Sequence, residues 1–182
     1  MKFLSLFSVA FFTLILACKT PQPSQTLTLD GMTLTLPEGF KLEFSDNEMT
    51  HDGVKCLQNE YKKMDGGNTV SLKINRFDVA YLKAEDPDYL TEKCLAGYRF
   101  FFSENRGDKY PYSENIPLSI GGKSGIFLTF EDKDHGENFR KGEMLAVKTG
   151  DKIMVLHYED FSDHYEKSKA DWTAIKQSVK LN

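Results

Sequence analysis

The sequence has few of the residues, and none of the motifs, on which most enzyme classes depend. Its 182 residues include three cysteines, four histidines and one tryptophan. It contains no GxSxG, HExxH, P-loop or GxGxxG string, so it offers no nucleophile elbow, zinc-binding helix or phosphate-cradling loop. Its net charge of −4 gives no basic footprint for nucleic acid. We therefore expect a protein that is not an enzyme, needs no cofactor or metal, and binds no nucleic acid.

The apolar run at the start of the chain is too short to span a membrane. Met1 and Lys2 precede 14 residues, 3–16, that are apolar apart from Ser and Thr. A spanning helix needs about 20 apolar residues, whereas the apolar core of a secretory signal has roughly 7 to 15. The run is therefore typical of a signal peptide.

The end of this run carries a second signal. The string Ile15-Leu16-Ala17-Cys18 resembles the bacterial lipobox, in which cleavage before the cysteine follows attachment of a lipid to its thiol. The resemblance implies acyl chains such as palmitate on Cys18, and a membrane anchor. Lys19 stands where an Asp would signal retention in the inner membrane, so the outer membrane is favoured. The alternative is an ordinary cleaved signal or an anchor helix, with Cys18 incidental.

These signals divide the chain into three parts. Residues 1–17 form the signal peptide, and residues 18–25 form the lipidated cysteine and an extended tether with two prolines. Residues 26–182 form a single α+β domain, a length that suffices for one hydrophobic core. Loss of Lys2 leaves 22 basic against 27 acidic side chains, so the mature chain stays mildly acidic.

Alternation of apolar and polar residues predicts strands through most of the domain. Two Thr-Leu runs flank Asp30-Gly31, a pair typical of a type I′ hairpin turn. Val70, Leu72 and Ile74 alternate with polar residues at 71, 73 and 75, so we expect one buried face and one face in water. Further strands are predicted at residues 40–44, 54–62, 116–120, 124–130, 142–148 and 152–158.

Two helices are predicted where the spacing of apolar residues changes from the two-residue period of a strand to that of a helix. Asp86-Pro87 supplies an N-cap and an N1 proline for a helix that reaches about residue 103. Asp163 and Glu166, three apart, predict a capping box for the last helix. The residues that share one face of this last helix are apolar: Tyr165, Trp172, Ile175 and Val179.

The order of elements predicts an α+β domain, an antiparallel β-sheet meander with two main helices packed on it. The strings LPEGF, IGGKSGIFLTFE and KIMVLHYE, followed by YEKSKADWTAIKQSVKL, resemble the Mog1/PsbP-like fold, an α/β/α sandwich that includes DcrB-type bacterial lipoproteins. The resemblance implies a non-catalytic partner, since members of this fold are a Ran-binding factor, photosystem accessory subunits and secretion-effector chaperones. It carries no catalytic motif and assigns no functional residue.

Two cysteines remain after cleavage, Cys56 and Cys94. In an exported protein they are candidates for a disulfide, although two buried thiols are an equal alternative, because sequence does not give the Cα separation. Each lies on an apolar face of a predicted element, which argues against a thiolate nucleophile.

Two clusters of acidic residues and histidines are candidate metal sites. Asp132, Asp134 and Glu143 match three positions of a calcium loop, but Gly136 falls one position early, which favours a solvated charged loop. The second cluster lies between the last strand and the last helix: His157, Glu159, Asp160, Asp163 and His164. The cluster can be explained without a metal ion, because His157 occupies a strand position and Asp163 is predicted to cap the helix.

Aromatic residues are concentrated after the first helix. Because a helix turns only part of its circumference to a core, we expect some of these rings to reach the surface or to be covered by the following loop. The residues assigned to this partner-binding surface are Phe100, Phe102, Tyr110 and Tyr112.

These features predict a lipid-anchored, non-enzymatic accessory protein of the cell envelope that binds an envelope protein. One alternative is an inhibitor or immunity-type lipoprotein that blocks an exported toxin or hydrolase. The other is an envelope hydrolase with a non-standard site around His157, Asp160 and His164.

Overall fold

The computed structural model describes residues 22–51, 54–78, 113–131, 139–150 and 152–182. These residues form ten strands and one helix. In chain order they are β1 Gln25–Leu29, β2 Met32–Leu36, β3 Lys41–His51, β4 Val54–Asp65, β5 Asn68–Asp78, β6 Ile116–Ile120, β7 Lys123–Glu131, β8 Arg140–Thr149, β9 Lys152–Phe161, α1 Tyr165–Ser178 and β10 Lys180–Leu181.

Seven of the strands form one large antiparallel sheet in the order β3-β4-β5-β9-β8-β7-β6. Short turns join β4 to β5 and β8 to β9, but β5 pairs with β9 rather than with its successor. The sheet therefore consists of a three-strand meander, β3 to β5, and a four-strand meander, β6 to β9, that meet at the β5–β9 ladder. Because β5 lies inside the sheet, both of its edges are paired.

The other three strands form a small sheet in the order β1-β2-β10. Asp30 and Gly31, at φ 43° and 79°, join β1 to β2 through the turn with two positive φ angles that the sequence predicts. Thr33 of β2 pairs with Lys180 of β10, so residues from both ends of the described chain meet in this sheet.

The helix and the small sheet pack on the same side of the large sheet, which we call the helix face. Core residues of this side come from every layer, including Leu34, Leu72, Leu156 and Trp172. The residues predicted to share a face of the last helix are all buried: Tyr165, Trp172, Ile175 and Val179. Tyr158 of β9 stacks on Trp172 with ring centroids 5.3 Å apart, and its hydroxyl donates to the Ser168 carbonyl at 2.7 Å. Burial raises the pKa of the Tyr158 hydroxyl well above its usual range.

The predicted fold class is confirmed: the domain is a mainly antiparallel α+β fold. The helix predicted from Asp86-Pro87 to residue 103 lies outside the described residues. Within the part of the chain that the structure describes, no helix is long and apolar enough to cross a membrane.

The predicted capping box at the last helix is wrong. The N-cap residue is His164, and no side chain caps the helix at that position. Instead, the Asp160 carboxylate accepts a hydrogen bond from the Phe161 backbone N–H at 2.7 Å and organises the turn before α1.

Candidate functional site

Asp160 and His164 form a carboxylate–imidazole pair at the start of α1. Asp160 Oδ2 lies 2.6 Å from His164 Nδ1, and both residues are buried. The other ring nitrogen, Nε2, lies 3.6 Å from the half-exposed carboxylate of Asp65, at the end of β4. The imidazole therefore connects β4, β9 and the turn before the helix, and a carboxylate fixes its orientation.

A second buried carboxylate, Glu143 of β8, lies under the middle of α1. Its Oε2 accepts hydrogen bonds from the Trp172 indole N–H and from Lys176 Nζ, the latter at 2.7 Å. The Lys176 ammonium also lies 5.2 Å from the centre of the Trp172 ring. Glu143 thus attaches the helix to the sheet, which gives it a structural role in place of the calcium-loop role considered from the sequence. Asp132 and Asp134 lie outside the described residues.

A larger polar cluster lies on the other side of the large sheet, which we call the far face. We call it the far-face cluster; it consists of Gln58, Glu60, Ser71, Lys73, Asn75, His157 and Glu159. All but Lys73 are buried, and the Lys73 side chain is 12% exposed. The cluster spans three adjacent strands, β4, β5 and β9, and polar residues occupy facing positions in their registers.

Charged partners lie at the β5–β9 end of this cluster. Lys73 Nζ donates to Glu159 Oε1 at 2.8 Å, and Glu159 Oε2 lies 3.4 Å from His157 Nε2. The Phe130 ring meets the His157 ring edge-on with centroids 5.0 Å apart. A buried ion pair needs such close contacts, because each charge loses its hydration on burial.

Amide and hydroxyl side chains lie at the β4–β5 end, together with the carboxylate of Glu60. Gln58 Nε2 donates to Asn75 Oδ1 at 2.7 Å, and Asn75 Nδ2 donates to the Val155 carbonyl at 3.2 Å. Ser71 donates to Glu60 Oε1 at 2.9 Å. These side chains hold neighbouring strands in register, as buried polar groups do when they are mutually satisfied.

The histidine and acidic residues weighed as a single site lie on two sides of the sheet. Successive strand residues point to opposite faces, so His157 and Glu159 lie on the far face, whereas Asp160 lies on the helix face with His164. The hydrolase alternative requires His157, Asp160 and His164 to converge, and the sheet separates His157 from the other two. Among the described residues, no group of three or more His, Cys, Asp or Glu side chains is placed to hold a metal ion.

Arg76 forms a polar corner that no pattern in the sequence indicates. Its guanidinium donates to Asp30 Oδ2 of the small sheet at 3.1 Å and to Asn59 Oδ1 of β4 at 2.9 Å. It also donates to Asp46, which has a positive φ of 50° at an irregular register in β3. The Arg76 hydrogen bond, with a further one from Ser45, holds the pKa of the Asp46 carboxyl below its usual value of 3.8. A lone arginine on a strand gives no sequence signal for such a role.

The residues predicted as sites are only partly within the described chain. Cys18, Cys94 and the aromatic residues of the predicted partner surface, Phe100, Phe102, Tyr110 and Tyr112, lie outside it. Cys56 is buried in β4 on the far face, with its sulfur 3.9 Å from Asn75 Oδ1. The disulfide between Cys56 and Cys94 stays a prediction.

Comparison with known proteins defines the class of fold. No family model and no curated protein sequence matches the chain. Among solved structures, it is similar to cyanobacterial PsbP, CyanoP, from Synechocystis sp. PCC 6803, at 15% identity, with 88% of this chain and 93% of that one covered and a TM-score of 0.58.

Two further solved structures resemble the chain. PA94 from Pseudomonas aeruginosa, a protein of unknown function, matches at 11% identity and a TM-score of 0.51, over 85% of this chain and 94% of that one. LpqN from Mycobacterium tuberculosis, which is involved in cell envelope biogenesis, matches at 12% identity and a TM-score of 0.48, over 87% and 90%. At these identities the first two comparisons establish the fold, which is the PsbP-like α+β architecture.

Proposed function

We propose that this protein is a non-catalytic accessory protein of the bacterial cell envelope, anchored through lipid on Cys18 and acting by binding an envelope protein. The lipobox-like string and the length of the apolar run support the anchor. The PsbP-like fold supports the accessory role through the resemblance noted in the sequence, because a Ran-binding factor, photosystem accessory subunits and secretion-effector chaperones of this fold act as partners.

The observation that carries the non-catalytic role is how the structure uses its buried titratable side chains. Asp160 with His164 organises the start of α1, Glu143 attaches α1 to β8, and Lys73 with Glu159 joins β5 to β9. Each pair joins two elements of the fold. A catalytic acid or base must instead reach a substrate from within a cleft.

The partner surface belongs to the aromatic segment between Phe100 and Tyr112. Aromatic side chains bury large areas at low entropic cost, which is why they dominate binding energy at protein interfaces. The four residues assigned to this surface are Phe100, Phe102, Tyr110 and Tyr112.

The test is a pull-down of the lipidated full chain from detergent-solubilised membranes of the native host, read by mass spectrometry. We expect a stoichiometric envelope protein that is lost when the four aromatic residues are replaced by alanine. A matched control replaces Thr26 and Thr28, which are exposed on the small sheet, and it should leave the partner bound. Cys18→Ala tests the anchor separately, and we expect this variant to leave the membrane fraction.

Three outcomes would contradict the proposal. If the alanine variant still captures the partner, the aromatic surface is not the binding site. If the Cys18→Ala variant stays membrane-bound, the protein is not anchored through lipid on Cys18. A captured exported toxin or hydrolase whose activity the protein blocks would establish the inhibitor alternative in place of an accessory role.

A further inference from the structure

The described chain begins close to one corner of the large sheet, and this position limits where a lipid anchor can be. The Gly39 N–H donates to the Gln22 carbonyl at 2.7 Å, and Gln25 Nε2 donates to the Phe40 carbonyl at 3.0 Å. Both hydrogen bonds fix the N-terminal segment beside the residues that lead into β3. The tether therefore leaves the domain at the start of β3.

The chain between this attachment and Cys18 is short. Four residue steps separate Cys18 from Gln22, so the tether spans at most about 14 Å when fully extended. A lipid on Cys18 would keep the start of β3 within that distance of the bilayer interface. The corner around Gly39 therefore stays near the bilayer in every orientation of the domain.

Two large apolar side chains are exposed at this corner. Leu42 is 51% exposed and Phe44 is 50% exposed, and both lie in β3, one of the two edge strands of the large sheet in the described part of the chain. A bulge lies between them in the register, so that Leu42 pairs with Tyr61 and Phe44 pairs with Glu60. Leu42 therefore lies on the same side of the sheet as Tyr61, whereas Phe44 lies on the opposite side with Glu60. When the edge of the sheet faces a lipid surface, both side chains can therefore enter that surface at the same time.

The charges around these side chains are mixed. Lys62 Nζ lies 5.6 Å from the centre of the Phe44 ring and 3.7 Å from Glu43 Oε1. Lys41 of β3 occupies the register position opposite Lys62 of β4. With lysines and glutamates interleaved, contact with lipid would rest on apolar burial and not on attraction to anionic headgroups. Among the described residues, no strand pairs with the outer edge of β3. Its backbone groups limit the contact to the interface, since the hydrocarbon core offers them no partners.

We propose that Leu42 and Phe44 insert into the interface of the bilayer that holds the Cys18 lipid, and so fix the orientation of the domain with its β3 edge against the membrane. This inference rests on the lipid anchor of the proposed function. It adds a second membrane contact, made by the folded domain itself.

The experiment places a tryptophan at each edge of the same sheet. Phe44→Trp reports on β3, and Ile116→Trp is the matched control on β6, the opposite edge, where Ile116 is 47% exposed. Six strand spacings, roughly 29 Å, separate the two edges. The native Trp172 is fully buried, and it contributes the same background to both variants.

Each lipidated variant is reconstituted into phosphatidylcholine vesicles, with and without acyl chains brominated near the glycerol end. Sedimentation with the vesicles is measured first, because its failure would contradict the lipid anchor and thus the proposed function. For protein that sediments, we expect bromine to quench about half of the emission that Trp at position 44 adds, since tryptophan favours the interface. Emission from Trp at position 116 should not change.

Sedimentation with no quenching at position 44, or with equal quenching at both positions, would overturn the inference while leaving the anchor intact. A dimer in sedimentation velocity, with blue-shifted emission from position 44 in detergent before any vesicle is present, would assign the β3 edge to a second copy of the chain and would also overturn it.

Discussion

The two faces of the large sheet are both buried over its central strands, but they are stabilised by different interactions. The helix face is covered by α1 and the small sheet, and its contacts are those of aliphatic and aromatic side chains around Trp172. The far face is apolar on β7 and β8, where Phe130 and Met144 lie, but it carries the far-face cluster on β4, β5 and β9. The helix face is therefore stabilised mainly by apolar burial. The part of the far face on β4, β5 and β9 is stabilised by paired polar groups.

This difference shows that alternation in a strand does not by itself identify a face in water. The alternating sequence of β5 predicts a solvent-exposed face for its polar residues, and this prediction is wrong because Ser71 and Asn75 are buried. Their polarity serves cross-strand pairing with Glu60 and Gln58. Polar residues in register on neighbouring strands can satisfy one another as well as water can.

The largest expected effect is on the helix face. Trp172→Ala removes a fully buried ring from its stack on Tyr158 and its hydrogen bond to Glu143. We expect the free energy of unfolding to fall by about 4 kcal/mol, because a large cavity is left in a packed core. Urea unfolding measures this loss. The neighbouring Thr173→Ala is the control, since Thr173 is exposed, and a similar loss in both variants would contradict the assigned packing.

The far face should respond to the loss of one charge more than to the loss of both. Lys73→Met leaves the Glu159 carboxylate, which is 4% exposed, without its lysine, and we expect a cost of about 3 kcal/mol. Adding Glu159→Gln removes the buried charge and keeps a polar group beside His157. The double variant should lose only about 1 kcal/mol, because no charge is then left buried without its counterion.

A double-mutant cycle by urea unfolding measures this coupling. The more exposed pair Lys141 and Glu166, 3.0 Å apart on the helix side, is the control, and its Lys141→Met variant should lose less than about 1 kcal/mol. Additive costs in the buried pair would show that Lys73 and Glu159 do not depend on one another.

The smallest effect is expected at the polar corner of Arg76, which is one of several polar groups on the helix face. A carboxyl whose folded pKa is lowered stabilises the fold above its unfolded pKa, and this contribution is lost as the pH falls through the folded value. Asp46→Asn removes the charge and tolerates the positive φ of 50°. Because Asp46 is largely exposed, we expect a loss below about 1 kcal/mol at pH 7.

The pH dependence distinguishes this ion pair from a local packing effect. The difference in Tm between wild type and Asp46→Asn should shrink as the pH falls below 3.8, the usual pKa of the group. Thermal unfolding at a series of pH values measures it. A difference that stays constant on acidification would assign the effect to the altered turn and not to the charge.

Much of the fold follows from local patterns in the sequence. The Asp30-Gly31 turn, the strands with alternating residues and the apolar face of the last helix all depend on neighbours in the chain, and the structure contains each of them. The β5–β9 ladder and the pairing of β10 with β2 could not be predicted in this way, because they join residues far apart in sequence.

The candidate site was less predictable than the fold. His157, Asp160 and His164 are close in sequence, and only the alternation of β9 separates them into two faces. The far-face cluster draws residues from three strands, so no window of the sequence contains it. The paired role of Glu143 with Trp172 and Lys176 depends on how α1 lies across β8.

The small sheet has a consequence for how the protein is made. Thr33 of β2 finds its partner Lys180 in β10 147 residues later, and such distant pairings form late because their loop must close first. Because the ribosome synthesises the chain from its N-terminus, β2 can pair with β1 early but can pair with β10 only after β10 has emerged. The order of strands in this domain thus delays completion of the small sheet until residues 180 and 181 have left the ribosome.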